Sequence, residues 1–130
     1  MTPAQHLAIS VRQPWADLIS AGVKTIEARS WRTHHRGDIL IIASAVPACQ
    51  REDADGTLVD LPTGTHICIA TLFDCRPLTH DDIGAACFDE ADWQPGLWAW
   101  CLGGVRAVEP VPQRGRLGLY RVPAELIRMG

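Results

Sequence analysis

Residues 7–31 read LAISVRQPWADLISAGVKTIEARSW, and the order of patterns in this stretch decides the fold. Residues 7–11 alternate apolar side chains with smaller or polar ones and include β-branched residues, a pattern typical of a β-strand. From Pro14 to Ala21 the apolar residues are spaced three and four positions apart, and Gly22 follows the last turn. The stretch therefore predicts a strand followed directly by a short helix.

The segment from Val23 to Ser30 alternates again and predicts a second strand. If this segment is extended throughout, Lys24 and Glu27 point to opposite faces of the sheet. If a turn or bulge follows Gly22, the two side chains converge. Periodicity alone leaves both geometries open.

The rest of the chain predicts further short elements. A continuous apolar run at 39–43 indicates a strand buried on both sides, and a late strand places Trp98, Trp100 and Leu102 on one buried face. Other strands are expected at 66–74, 105–111 and 118–122, a short helix capped by Thr79 with Asp81 and Asp82 in its first turn, a helical turn at 123–127, and a loop at 46–64 with at most one helical turn. Many short strands with two or three short helices favour an α+β fold with a mixed β-barrel.

Composition limits the class of protein. A chain of 130 residues with 47% hydrophobic and 21% charged residues is typical of a globular protein, and we expect one domain over residues 1–130. The absence of a leader pattern and of an apolar run of about 18 residues predicts a cytoplasmic protein that does not associate with a membrane. The five cysteines form no C-x-x-C pair, so we expect reduced thiols, no metal site and no cofactor.

Charge is distributed unevenly along the chain, although its net value is only −3. Residues 1–48 carry five Lys or Arg and three acidic residues, and residues 94–130 carry five and two. Residues 49–93 carry two basic and ten acidic residues. If the two ends of the chain meet in the fold, one face is basic, and the acidic middle is either a solvated surface or a site for a protein partner.

Two motifs in the opening stretch resemble those of the ASCH domain family. The first is Gln13-Pro14-Trp15-Ala16 at the strand–helix junction, and the second is Gly22-x-Lys24-Thr25-x-Glu27-x-Arg29. The segment 36–45 resembles the next strand of that family and extends the similarity to about a third of the chain. The resemblance implies a PUA-like barrel with a cleft, and relatives associated with RNA or DNA binding, coactivator modules and nucleobase chemistry.

The charged residues of the second motif are the first candidates for a site. A cleft that holds both signs, as Lys24, Glu27 and Arg29 would provide, can contact a base edge and a phosphate together. The alternative is an ion pair that only stabilises the barrel. Gln13 can both donate and accept hydrogen bonds at a base edge, or it can satisfy backbone groups at the strand–helix junction.

Aromatic and cationic residues complete the candidate site. Trp15 falls on the apolar stripe of the helix and is expected in the core, whereas Trp31 follows the charged strand and is the better candidate for stacking on a base. A dense cationic stretch would suit a phosphate backbone, although a solvated turn is the ordinary alternative. Its members are Arg12, Arg32, His34, His35 and Arg36.

Enzymatic activity is the main alternative to binding. Some small bacterial ASCH proteins are amidohydrolases of N4-acetylcytidine, and the resemblance implies a lysine, a threonine and a glutamate as their catalytic residues. Here Glu27 stands where the nucleophilic threonine would be, so Thr25 is the remaining nucleophile if the backbone turns it into the cleft. The acidic partner would be one of Asp81, Asp82, Asp89 or Glu90. Metal-assisted RNA cleavage would instead use Glu27 and an aspartate as ligands.

The sequence thus predicts a domain that binds RNA or a nucleotide-like ligand, with DNA as an alternative. A hydrolase acting on a nucleobase or RNA, with Lys24, Thr25 and Glu27 as its catalytic set, is the second hypothesis. A protein-interaction module is the third. The predicted binding set is Arg12, Gln13, Lys24, Glu27, Arg29, Trp31, Arg32, His35 and Arg36.

Overall fold

The computed structural model describes residues 4–130. Its strands are β1 (Gln5–Val11), β2 (Ile26–Arg29), β3 (Gly37–Ala43), β4 (Gln50–Glu52), β5 (Leu58–Asp60), β6 (Thr65–Pro77), β7 (Trp98–Ala107) and β8 (Leu119–Pro123). Its α-helices are α1 (Trp15–Ser20) and α2 (Ile83–Ala86), and 3-10 helices cover His80–Asp82, Glu90–Asp92 and Ala124–Leu126. In this part of the chain no helix is long and apolar enough to cross a bilayer.

Six of these strands form one mixed sheet in the order β2-β7-β6-β3-β1-β8. The pair β1 and β3 is parallel, and the other neighbouring pairs are antiparallel. The prediction of an α+β fold agrees with this architecture, but the prediction of a closed barrel is wrong. The sheet stays open because β2 and β8 are its two edges and do not pair with each other.

The centre of the core is β3, as its continuous apolar sequence predicted. Residues 39–43 are each at most 1% exposed. One face of the strand packs with Ile19 and Trp100, and the other packs with Tyr120 and Val122. Neighbouring strands on both sides satisfy the backbone hydrogen-bonding groups of β3, so the strand can be fully buried. Because both of its faces are covered, every side chain of the run can be apolar.

Gln13 fixes the junction between β1 and α1. Its side-chain Nε2 donates to the Pro62 carbonyl at 2.8 Å, and its Oε1 accepts from the Asp17 backbone N–H at 2.9 Å. The second bond satisfies one of the N–H groups that a helix leaves unpaired in its first turn. Gln13 is 2% exposed, and its side chain satisfies backbone groups at the strand–helix junction, which is one of the two roles that the sequence allowed.

The second half of the chain departs from the sequence predictions at several boundaries. The strand expected at 66–74 runs from Thr65 to Pro77 because it pairs with β3 at one end and with β7 at the other. The segment 46–64 contains the β4–β5 hairpin in place of a helical turn. The two late strands expected before residue 111 form one strand, β7, which ends at Ala107.

A buried carboxylate organises the turn that leads into α2. The backbone N–H and the hydroxyl of Thr79 both donate to Asp82, which confirms the predicted cap. Arg76 donates two further bonds to the same carboxylate, at 2.7 and 2.9 Å. These bonds, that from Arg76 first among them, hold the pKa of Asp82 well below its usual range.

The lowered pKa of Asp82 predicts how stability depends on pH. The carboxylate stabilises the fold at every pH above its unfolded-state pKa of about 3.9, and this contribution is lost as pH falls towards the lower folded-state value. Asp82→Asn should therefore reduce the free energy of unfolding at pH 7, and the difference from wild type should narrow at pH 3. Urea unfolding at the two pH values measures it. Asp81→Asn, at an exposed neighbouring position, should have little effect at either pH. An equal loss for Asp82→Asn at both pH values would contradict the assignment.

Candidate ligand-binding site

A cavity of about 770 Å³ lies where the sheet is open. Ser10 and Val11 from the end of β1 and residues 27–29 of β2 form two of its walls. The loop 113–118, which precedes β8, and the loop 44–46, which follows β3, contribute the others. The two ends of the chain thus meet around one cavity, which is the condition under which the charge distribution predicts a basic face.

Lys24 and Glu27 converge in this cavity because the chain turns before β2 begins. The backbone N–H groups of Val23 and Lys24 both donate to the Leu18 carbonyl, so the segment after Gly22 is not extended. As a result the Lys24 Nζ lies 3.5 Å from the Glu27 Oε1. Of the two geometries that periodicity allowed, the structure has the one with a turn.

Lys24 is buried and contacts groups on two elements. Its side chain is 2% exposed, and its Nζ donates to the Ala86 carbonyl in α2. Burial lowers the pKa of Lys24, and the neighbouring Glu27 carboxylate opposes this change. Lys24 therefore connects the floor of the cavity to α2.

Arg29 joins β2 to β1 across the opening of the sheet. Its Nε and Nη2 donate to the Glu27 Oε2 at 3.2 and 2.9 Å, and Nη2 also donates to the Ser10 carbonyl at 2.7 Å. Ser10 lies just beyond Ile9, the last residue of β1 that pairs with β8. The Arg29 side chain therefore makes a contact where, in a closed barrel, backbone hydrogen bonds would join the two edges of the sheet.

The rim of the cavity carries uncompensated positive charge. Arg12, Arg114 and Arg116 line it, and within residues 4–130 none of the three forms an ion pair with a carboxylate. Five other arginines are paired with acidic residues, namely Arg29, Arg36, Arg51, Arg76 and Arg106. In the described part of the chain Arg32, Arg121 and Arg128 form no ion pair with a carboxylate either, but they do not line the cavity. An anionic group at the rim would supply the missing countercharge.

Apolar side chains, one of them from a tryptophan, form the remaining surface of the cavity. Trp15 is 39% exposed there, together with Val46, Phe88 and the almost fully exposed Leu117. The prediction that Trp15 belongs to the core is wrong, because it is the first residue of a six-residue helix whose buried residues are Ala16 and Ile19. A flat aromatic surface next to cationic groups is suited to a planar anionic ligand.

The model of the ASCH domain family matches residues 9–110 of this chain. The chain belongs to the ASCH family. A segment of 37 residues is 54% identical to human activating signal cointegrator 1, and 36 residues are 50% identical to the mouse protein. These segments span 28% of this chain but only 6% of each cointegrator.

Solved ASCH structures share the fold. The crystal structure of ASCH from Zymomonas mobilis has a TM-score of 0.68 at 16% identity, covering 92% of this chain and 89% of that one. A tyrosine-to-phenylalanine mutant of the same Zymomonas mobilis protein has a TM-score of 0.63 at 17% identity, with 92% and 91% covered. At this level of identity the similarity establishes the fold.

The ASCH motif residues do not all reach the cavity. Of the predicted binding set, Arg12, Lys24, Glu27 and Arg29 line it, and Gln13 does not. Trp31 packs edge-to-face against Trp100 at 4.7 Å, and its carbonyl accepts a hydrogen bond from the Trp100 Nε1, which places Trp31 against the core. The assignment of core and cleft to Trp15 and Trp31 is therefore reversed.

Except for Arg12, the residues of the cationic stretch also lie outside the cavity. Arg32 lies 5.4 Å from the centre of the Trp98 ring. Arg36 donates to the carbonyls of Thr33 and His35, and the His35 ring lies 3.1 Å from the Asp38 carbonyl oxygen. These contacts keep the stretch folded as a local turn.

The catalytic set suggested by hydrolases of this family is not assembled. Thr25 is exposed and lies outside the cavity, with its backbone N–H donating to Ala85. None of the four acidic residues considered as its partner lines the cavity, and Asp82 is bound by Arg76. In the described residues no group of three or more His, Cys, Asp or Glu side chains is arranged to hold a metal.

Sequence reasoning missed the contribution of the loop 113–118. Its run Arg114-Gly115-Arg116-Leu117-Gly118 contains two arginines and two glycines, a composition that indicates a solvent-facing loop. Its place beside the ASCH motif follows only from the pairing of β8 with β1. That pairing is a long-range contact that local patterns do not specify.

Glu27→Gln should destabilise the protein by about 3 kcal/mol, because it removes the countercharge of a buried lysine and of Arg29. The pKa of Lys24 should then fall further, since Glu27 raises it. Urea unfolding and NMR titration of the Lys24 side chain measure the two effects. Glu125→Gln, at an exposed position, serves as the matched control. Unchanged stability and an unchanged Lys24 pKa would show that the three charges act independently.

Proposed function

We propose that this ASCH domain binds single-stranded RNA by taking one nucleotide into the cavity. The main observation in support is the rim of three arginines that have no carboxylate partners and surround an apolar cavity. These arginines occur in a chain whose net charge is −3. The phosphate contacts Arg12, Arg114 and Arg116, and the base lies against Trp15. Positive charge concentrated at one place favours an anion despite the acidic total.

Size and shape support a nucleotide as ligand. The volume of about 770 Å³ is within the range of roughly 300–1,000 Å³ typical of small-ligand sites. Its walls are largely apolar and one of them is aromatic, whereas its floor is charged. A base must leave its stack to enter such a cavity, which favours single strands over a duplex.

The family adds support from outside the structure. ASCH domains are generally associated with RNA binding, and this chain matches the family model over most of its length. The segment shared with activating signal cointegrator 1 is too small a part of that protein to carry its activity over to this chain. Residue chemistry in the cavity is therefore the main support for the proposal.

Binding without turnover fits the cavity better than hydrolysis. Both oxygens of Glu27 already face cations, Lys24 on one side and Arg29 on the other. With both oxygens in contact with these cations, neither is free to take a proton from a bound substrate or water. With Thr25 outside the cavity, we assign Lys24 and Glu27 to ligand anchoring.

The rim arginines predict a specific change in salt dependence. Arg114→Gln combined with Arg116→Gln should flatten the dependence of log affinity on log salt by about 1.4, since each lost contact with a single strand contributes about 0.7. Fluorescence anisotropy with a labelled pentameric RNA between low and moderate salt measures the slope. The control is Arg32→Gln with Arg36→Gln, which removes the same charge outside the cavity. A flatter slope in the control alone would place the RNA on the cationic stretch instead.

The two tryptophans predict opposite outcomes. Trp15→Ala should weaken RNA binding by about 1–3 kcal/mol through lost stacking and leave stability nearly unchanged, because the side chain is partly exposed. Trp31→Ala should mainly lower the free energy of unfolding, because it removes the contact with Trp100. Urea unfolding and RNA titration of both variants separate the effects. Full RNA affinity in Trp15→Ala would exclude the proposed position of the base.

A further inference from the structure

The backbone of β2 has hydrogen-bonding groups on the side away from β7. The Leu102 N–H donates to the Thr25 carbonyl at 2.9 Å, and the register continues with Ile26 opposite Cys101 and Ala28 opposite Ala99. In an antiparallel pair, hydrogen-bonded and non-hydrogen-bonded residues alternate. Glu27 and Arg29 therefore make the ladder bonds to β7, and the N–H and C=O of Ala28 point away from it.

Ala28 is the part of this edge that borders the cavity. Its side chain packs against the apolar cluster that contains Ile26, Ala86 and Ala99. Since β2 is an edge strand and Ala28 lines the cavity, its main chain presents one donor and one acceptor beside each other. Within residues 4–130 no other strand pairs with β2 on this side.

Both ends of the accessible edge are closed. At one end, the Thr25 N–H is bonded to Ala85 and Lys24 is bonded to Ala86. At the other end, Arg29 is bonded to the Ser10 carbonyl across the opening. An added peptide strand would need several consecutive residues of free edge, whereas a planar ligand needs one donor and one acceptor.

We propose that the main chain of Ala28 hydrogen-bonds to the Watson–Crick edge of the nucleobase held in the cavity. This inference rests on the proposed function and specifies its ligand as an unpaired nucleotide. Each of the four bases has an adjacent donor and acceptor on that edge, so the contact distinguishes an unpaired base from a paired one. Strand geometry makes Ala28 a specificity-determining residue through its backbone.

The experiment uses two uncharged modifications of the same RNA. Pentameric RNA made of 5-methyluridine keeps its Watson–Crick edge, and a pentamer of N3-methyluridine has that edge blocked. By titration with the whole protein, the blocked pentamer should bind about tenfold more weakly, the scale of one bidentate base contact. Equal affinity for the two pentamers would overturn the role of Ala28 and leave the proposed RNA function standing. Failure of both pentamers, and of unmodified RNA, to bind would overturn the proposed function itself.

A variant of the protein tests the same contact from the other side. Ala28→Pro removes the N–H that faces the cavity and costs no ladder bond to β7, a position at which edge strands accept proline. The lost N–H is the group that would donate to a uracil oxygen, which both pentamers retain, so Ala28→Pro should bind the 5-methyluridine pentamer more weakly than the wild-type protein does. Ala28→Ser, which keeps the N–H, should lose less affinity. Unweakened binding of the 5-methyluridine pentamer by folded Ala28→Pro would overturn the inference. If Ala28→Pro does not fold, the two pentamers decide the question alone.

Discussion

The structure depends on the Glu27 carboxylate, which lies between Lys24 and Arg29. It compensates a lysine that is almost fully buried, and it orients the guanidinium that reaches the Ser10 carbonyl. Through these contacts one acidic side chain holds the β2 edge against the end of β1. Burying a charged side chain is costly unless it is paired with an opposite charge. This cost explains why Lys24, Glu27 and Arg29 occur together in one motif.

The cavity exists because the sheet is open. Full closure would pair β2 with the opposite edge and use the backbone groups that now face the cavity. Because the connection is made by one arginine, space remains for a ligand between the aromatic wall and the cationic rim. The acidic middle of the chain supplies none of the residues that border this space, apart from the apolar Phe88. The basic ends therefore set its local charge.

Sequence patterns predicted the parts that depend on local burial. The buried run of β3, the strand–helix opening and the Thr79 cap followed from periodicity and capping chemistry. The convergence of Lys24 with Glu27 stayed open because it depends on a backbone turn after Gly22. Trp15 was misplaced because a helical stripe does not show which of its residues lies at the rim of the sheet, and Arg114 was missed because only long-range pairing brings its loop to the cavity.

The hydroxyl groups of Ser10 and Tyr120 lie 2.7 Å apart although 110 residues separate them in the chain. They mark the contact that brings β8, and the loop before it, beside β1. During synthesis on the ribosome the motif around Lys24 emerges early, but the rim that Arg114 and Arg116 complete can form only after β8 has left the exit tunnel. A nascent or truncated chain that lacks β8 therefore carries the family motif without the complete cationic rim, and under the proposed function it would not yet bind its ligand.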